Sequence, residues 1–170
     1  MSTNMFDILQ RQGGKFMLLE DYEISSATQA IVPLSECRTM VYEEEGEYIV
    51  DKPSNQIINY NCNFYGSSYD GRCEGTRSLL GIKSKLPIII EESRNIIFFP
   101  TNSIRRKQSS WIALNKIDSY HKNEKNCFII FTDGRRLDFD ISMFSLENQF
   151  YRATLLKSKL SDRKLISKEI

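Results

Sequence analysis

Two short clusters of cations hold most of the chemistry in this chain. One is Lys83-Ser84-Lys85; the other is Arg105-Arg106-Lys107, followed by Gln108-Ser109-Ser110. Lys and Arg on loops beside Ser, Asn and Gln suit contacts to phosphate, because the cation neutralises charge while its neighbours donate hydrogen bonds. Arginine entering a narrow A·T-rich minor groove adds recognition of shape. A basic loop is also an ordinary solvated surface, so composition alone leaves both readings open. Arg72 and Arg77 lie upstream in a helical stretch, where they could instead pair with Asp70 or Glu74.

The distribution of charge favours a polyanionic partner. The net charge is +1. Residues 1–50 hold three basic and nine acidic side chains, a net of −6. Residues 51–125 hold twelve and seven, a net of +5, and residues 126–170 hold eight and six, a net of +2. Such a basic middle points to nucleic acid, unless acidic and basic faces of one domain simply offset each other.

Other chemistries fail on residue type. Gly66-x-x-x-x-Gly71 has the glycine spacing of a phosphate loop, but Arg72 stands where Lys belongs and Cys73 where Ser or Thr belongs. No strand precedes it either. His121 is the only histidine and sits in the polar run Tyr120-His121-Lys122-Asn123, so no Ser–His or Cys–His pair is in view. Cys37, Cys62, Cys73 and Cys127 lack the close pairing of zinc ligands. They read as reduced, small apolar residues. Glu43-Glu44-Glu45 reads as a solvated hairpin end. No enzyme, metal or cofactor is expected.

The elements that must position the cations follow from the apolar pattern. At 170 residues one domain is expected. Asn4, then Met5, Phe6, Ile8 and Leu9, then Gly13-Gly14 predict a short helix over 2–12, on a loosely tied arm reaching residue 20. Strands are predicted at 29–32, 38–42 and 47–50, the last two joined by a turn at Glu45-Gly46. Ser54 or Asn55 starts a helix whose apolar face is Ile57, Ile58, Cys62 and Tyr65, and Gly66 stops it. Ser67 or Ser68 starts a second helix, from Tyr69 to Leu80, stopped by Gly81. The stretch 62–75 is thus a glycine-rich corner between two helices, with Phe64 and Tyr65 expected to anchor it to the core.

Short β-branched runs predict strands at 87–90, at 96–99, and from 111 towards Tyr120. Asp133-Gly134 joins 127–131 to 136–141 as a hairpin, and Leu137, Phe139 and Ile141 alternate with Arg136, Asp138 and Asp140. Ser142 or Ser145 caps a last helix with Leu146, Phe150, Ala153, Leu156 and Leu160 on one face, extended by Tyr151 and Leu155. The charged residues 161–170 are expected to fray, with 163–170 a tail. No run of about 18 apolar residues exists to span a membrane. Met1–Gln10 lacks the basic-then-apolar form of a secretory signal, so a cytoplasmic location is expected.

The residues also carry a family resemblance. The order Cys62-x-Phe64-Tyr65-Gly66-Ser67-Ser68-Tyr69-x-Gly71-Arg72, then Ser84-Lys85-x-Pro87-Ile88, then Phe98-Phe99-Pro100-Thr101-x-Ser103, then Trp111-Ile112, resembles the bacterial competence transcription factor family, ComK. Ser142, Phe144-Ser145, Glu147-Asn148-Gln149 and Tyr151-Arg152-Ala153 look like that family's C-terminal helix. The resemblance runs from Tyr22 to Asp162 and marks residues 21–162 as the domain. It implies a cytoplasmic activator of DNA-uptake genes. Members of the family bind paired A·T-rich boxes as dimers that associate further, mainly through the minor groove. They act on RNA polymerase and are removed by adaptor-directed proteolysis. Residues 1–20 look like an added arm, and the chain stops at Ile170 where the family can carry a longer tail. A copy shortened in this way could lack activation or adaptor-dependent turnover.

The expectation is therefore an α+β domain: a mostly antiparallel sheet, two inserted middle helices, and a C-terminal helix packed on the sheet. Its expected function is DNA-binding activation, with Arg72, Arg77, Lys83, Lys85, Arg105, Arg106 and Lys107 contacting DNA. The rival is a pleckstrin-like module for protein interaction, suggested by hairpins followed by a terminal helix; that is analogy of fold alone.

Overall fold

A computed structural model gives the structure of residues 16–102 and 108–168. Among the described residues, ten strands form two sheets and three helices pack on them. The large sheet contains β1 (Met17–Leu19), β2 (Thr28–Pro33), β3 (Thr39–Glu43), β4 (Gly46–Val50), β5 (Ile88–Glu91), β6 (Ile96–Pro100) and β7 (Trp111–Ala113). Their order is β1-β4-β3-β2-β7-β6-β5. The small sheet, in order β10-β9-β8, contains β8 (Ile117–Asn123), β9 (Asn126–Phe131) and β10 (Arg136–Phe139). Pairing is antiparallel except between β1 and β4. The α+β architecture and the C-terminal helix are as the sequence predicts.

The helices are α1 (Ser54–Phe64), α2 (Tyr69–Leu80) and α3 (Met143–Ile166). The Ser68 hydroxyl accepts from the Gly71 amide at 3.0 Å and so caps α2. A Cβ at Gly71 would approach that hydroxyl to 3.0 Å, which makes glycine part of the cap. Between α1 and α2 the chain turns at Gly66 with φ 78°, a region that β-carbon-bearing residues avoid. Ser142 caps α3 by accepting from the Ser145 amide.

The central strands are buried on both faces, which is why they read as unbroken apolar runs. Ile88, Ile90, Phe98 and Trp111 face one core, with Ile57, Ile58 and Cys62 of α1. Ile89, Ile97, Phe99 and Ile112 face the other, with Phe131 of the small sheet and Leu146, Ala153 and Leu156 of α3. Buried amides pin the cores. Asn61 of α1 donates to the Tyr22 and Ile57 carbonyls at 2.9 and 2.8 Å and accepts from the Ile24 amide at 2.7 Å.

Several expectations change. The fold starts before residue 21, because β1 adds in parallel to β4; the rest of the predicted arm, residues 1–15 with the helix at 2–12, lies outside the described residues. The β3–β4 turn is Glu44-Glu45, one residue early, because Glu43 pairs with Gly46. The strand predicted from 111 towards Tyr120 is broken by a 3-10 turn at Leu114–Lys116, which carries the chain from one sheet to the other. Phe64 is half exposed and stacks on Tyr60, whereas Tyr65 is the anchor, donating to the Ile24 carbonyl at 2.7 Å. Tyr151 is exposed rather than part of the apolar face of α3. Helix α3 continues to Ile166, so four residues of the expected frayed tail are helical and exposed.

Candidate nucleic-acid interface

Four connections open at one end of the large sheet. Register shows it: Pro33 pairs with Thr39, Thr39 with Val50, Ile31 with Trp111, Trp111 with Pro100, and Phe98 with Ile88. The β2–β3 loop, the segment leading into α1, the loop from α2 to β5 and the β6–β7 loop therefore sit side by side. The α2–β5 loop carries Lys83 and Lys85. The β6–β7 loop carries Arg105, Arg106 and Lys107, which lie outside the described residues; its described base is ordered by hydrogen bonds. Thr101 N donates to the Ser110 carbonyl at 2.9 Å, Asn102 N to the Ser109 hydroxyl at 3.1 Å, and Ser54 of α1 to the Ser109 carbonyl at 2.8 Å.

One side chain ties the two basic loops together. Gln149 of α3 is 1% exposed, and its amide donates to the Lys85 carbonyl at 3.1 Å and to the Pro100 carbonyl at 2.8 Å. Arg152, one turn on, donates to the Ser84 carbonyl at 3.1 Å. Lys85 itself has φ 51°. For a residue with a β-carbon that region costs about 1 kcal/mol, and the bond from Gln149 helps to hold it there. Lys83 is exposed and Lys85 half-buried.

Arg72 and Arg77 are placed differently. Arg77 is exposed in the last turn of α2, beside the same end. Arg72 lies in the first turn of α2, is half-buried, and has a buried Nε without a partner among the described residues. Burial pushes the Cys62 thiol up to about 11, against the opposing pull of Arg72. Neither arginine pairs with Asp70 or Glu74. The structure thus brings Lys83, Lys85 and the base of the 101–110 loop together, with Arg77 at their edge, and holds Arg72 half-buried against α1.

The acidic hairpin has a different fate from the one its composition suggests. Glu47 pairs with Arg135 and Glu44 with Lys116, while Glu43 accepts from the Tyr22 hydroxyl. Burial, then the bond to Glu43, raises the Tyr22 phenol far above its ordinary value. Arg135 also donates to the Glu43 carbonyl at 3.3 Å and lies 5.3 Å above the Tyr42 ring. This hairpin end is a joint between the two sheets; of its four glutamates only Glu45 has no partner among the described residues.

Gln149 and Arg152 are the positioning residues that residue-type reasoning passed over. The available signal was a polar residue at position 149 within the buried stripe Leu146–Ala153–Leu156 of a helix.

Comparison with known proteins defines the class. The competence transcription factor of Bacillus subtilis (strain 168) is 34% identical over 149 residues, which is 85% of this chain and 78% of that protein. The class is a transcription regulator of the competence type. The family model described as ComK protein matches residues 19–165. The chain belongs to the ComK family. No solved structure matches it, and among the described residues no helix is long and apolar enough to cross a membrane.

Proposed function

We propose that this protein is a cytoplasmic, DNA-binding activator of competence genes, and not an enzyme. It recognises A·T-rich boxes largely through the minor groove, as a dimer or higher oligomer, and acts with RNA polymerase. A proteolytic adaptor governs its removal. The observation that carries this reading is the clustering, at one end of the large sheet, of cations that have no carboxylate partner among the described residues. Lys83 and Lys85 lie there against the base of the loop that bears Arg105, Arg106 and Lys107, and Arg77 lies at its edge. Phosphate contacts from this end set the register, and arginines entering the groove read its width. The family name supports a partner in DNA.

The experiment is a titration of the full chain onto an A·T-box duplex and a G·C-rich duplex, repeated from 50 to 200 mM salt. Tighter binding to the A·T duplex is expected, with log affinity falling linearly against log salt. Equal affinity for both duplexes would remove the minor-groove reading. An absence of binding even at low salt would remove DNA as the partner.

A further inference from the structure

We propose that the outer edge of α3 is a second part of the DNA surface, through Arg152, Lys159 and Arg163. This rests on the DNA reading above and adds to it Lys159 and Arg163, which neither the sequence motifs nor the loop geometry supplied.

Helix α3 sorts its cations into two stripes. At about 100° per residue, Lys159 and Arg163 fall about 20° to either side of Arg152, while Leu156 and Leu160 fall about 40° and 80° from it. Leu156 is fully buried and Leu160 half-buried, so the orientation of the helix is fixed by the core. Lys157 and Lys164 fall about 140° and 120° from Arg152, on the far side of that seam. Their charge is used inside the fold: Lys157 donates to Asn115 at 3.2 Å, and Lys164 lies 3.5 Å from the Glu92 carboxylate.

Beyond Arg152, the other stripe has no such partner. Lys159 and Arg163 are exposed and, among the described residues, form no ion pair or side-chain hydrogen bond. The acids of α3 point elsewhere, Asp162 about 80° and Glu147 about 140° around the helix. Arg152 begins the stripe by bonding the Ser84 carbonyl, in the loop that carries Lys83 and Lys85. Of its three guanidinium nitrogens, only Nη1 is engaged among the described residues, donating to the Ser84 carbonyl and to Gln149 Oε1. The stripe then runs away from the loop for eleven residues, about 16 Å, or about five base-pair steps at 3.4 Å along one strand. A row of cations of that length, continuous with Lys83 and Lys85, fits a phosphodiester backbone.

Three proteins test it on the A·T-box duplex across 50–200 mM salt: the wild type, Lys159→Gln with Arg163→Gln, and Lys122→Gln with Lys125→Gln. The last pair sits on the exposed β8–β9 hairpin and serves as the control. The α3 variant is expected to bind about 10- to 100-fold more weakly, with its salt slope reduced by about 1.8 and its thermal midpoint unchanged. Lys159→Glu alone should weaken binding further than Lys159→Gln. The inference is overturned if the α3 variant keeps the wild-type slope, or if the hairpin control loses as much. If the wild type itself shows no salt-dependent binding, the proposed function fails and this inference with it.

Discussion

The β3–β4 hairpin and the opposite, loop-bearing end of the large sheet are both rich in charge, yet the charges are used in opposite ways. At the hairpin, Glu43, Glu44 and Glu47 are taken up by Tyr22, Lys116 and Arg135, and the result is a joint between two sheets. At the loop end, Arg152 and Gln149 fasten the backbone at Ser84 and Lys85, while the ammonium groups of Lys83 and Lys85 have no partner among the described residues. The difference teaches that a charge becomes available for a partner only when the fold does not consume it. A fixed backbone beneath a free cation also lowers the ordering cost of binding.

The largest effect should come from the loop end. Lys83→Gln with Lys85→Gln is expected to lower DNA affinity about 100-fold and to reduce the salt slope by about two, with thermal stability unchanged. Binding isotherms at several salt concentrations check it, and an unaltered slope would break the contrast between the two regions. Next in size, Arg135→Ala should cost about 2 kcal/mol of stability by stranding Glu47 and the Glu43 carbonyl. Its salt slope on DNA should stay at the wild-type value. Chemical denaturation gives the first quantity and titration the second; a variant that loses DNA contacts while keeping its stability would reverse the assignment.

A smaller effect separates strain from charge at one residue. Lys85→Gly should raise stability by up to about 1 kcal/mol relative to Lys85→Ala, because the left-handed backbone no longer carries a Cβ. Both variants should lose the same single increment of salt slope. Equal stability of the two would mean that the backbone conformation costs nothing.

The smallest effect is one of pH. Burial raises the Glu91 carboxyl, but bonds from Ser93 and Arg94 outweigh it and bring it from 4.5 down to about 2. The Ser93 and Arg94 amides donate at 2.8 and 2.9 Å, and the Arg94 Nε at 3.1 Å. A carboxylate with a lowered folded value stabilises above its unfolded value and loses that contribution as it is protonated. Wild type should therefore lose stability relative to Glu91→Gln as pH falls from about 4.5 towards about 2. Parallel melts that fail to converge over that range would show the turn to be indifferent to this charge.

Much of the fold was legible because its signals are local. Ser68 and Gly81 bracket α2, Asp133-Gly134 turns the last hairpin, and the β-branched runs at 88–90 and 96–99 are strands. The joints were not legible, because the partners are far apart in the chain. Gln149 reaches Lys85 across 64 residues and Pro100 across 49, and Asn61 reaches Tyr22 across 39. Periodicity marks such amides as polar intruders in a buried stripe but does not say which carbonyls they serve. The same limit explains the acidic run, which looks solvated until Lys116 and Arg135 arrive from another sheet. Of the candidate site, residue type marks Lys83 and Lys85, whereas the half-burial of Arg72 depends on how α2 packs beside Cys62.

The central strands have one more consequence. Because Phe98 and Phe99, or Trp111 and Ile112, belong to different cores on opposite faces of the same strands, the large sheet is a party wall. Neither side can melt and leave the other standing, since losing one core strips the apolar cover from the strands that support the second. Heat or denaturant should then take both halves through a single cooperative transition. A cavity cut beside α1 should be felt as lost protection from hydrogen exchange in α3, on the far side of the wall.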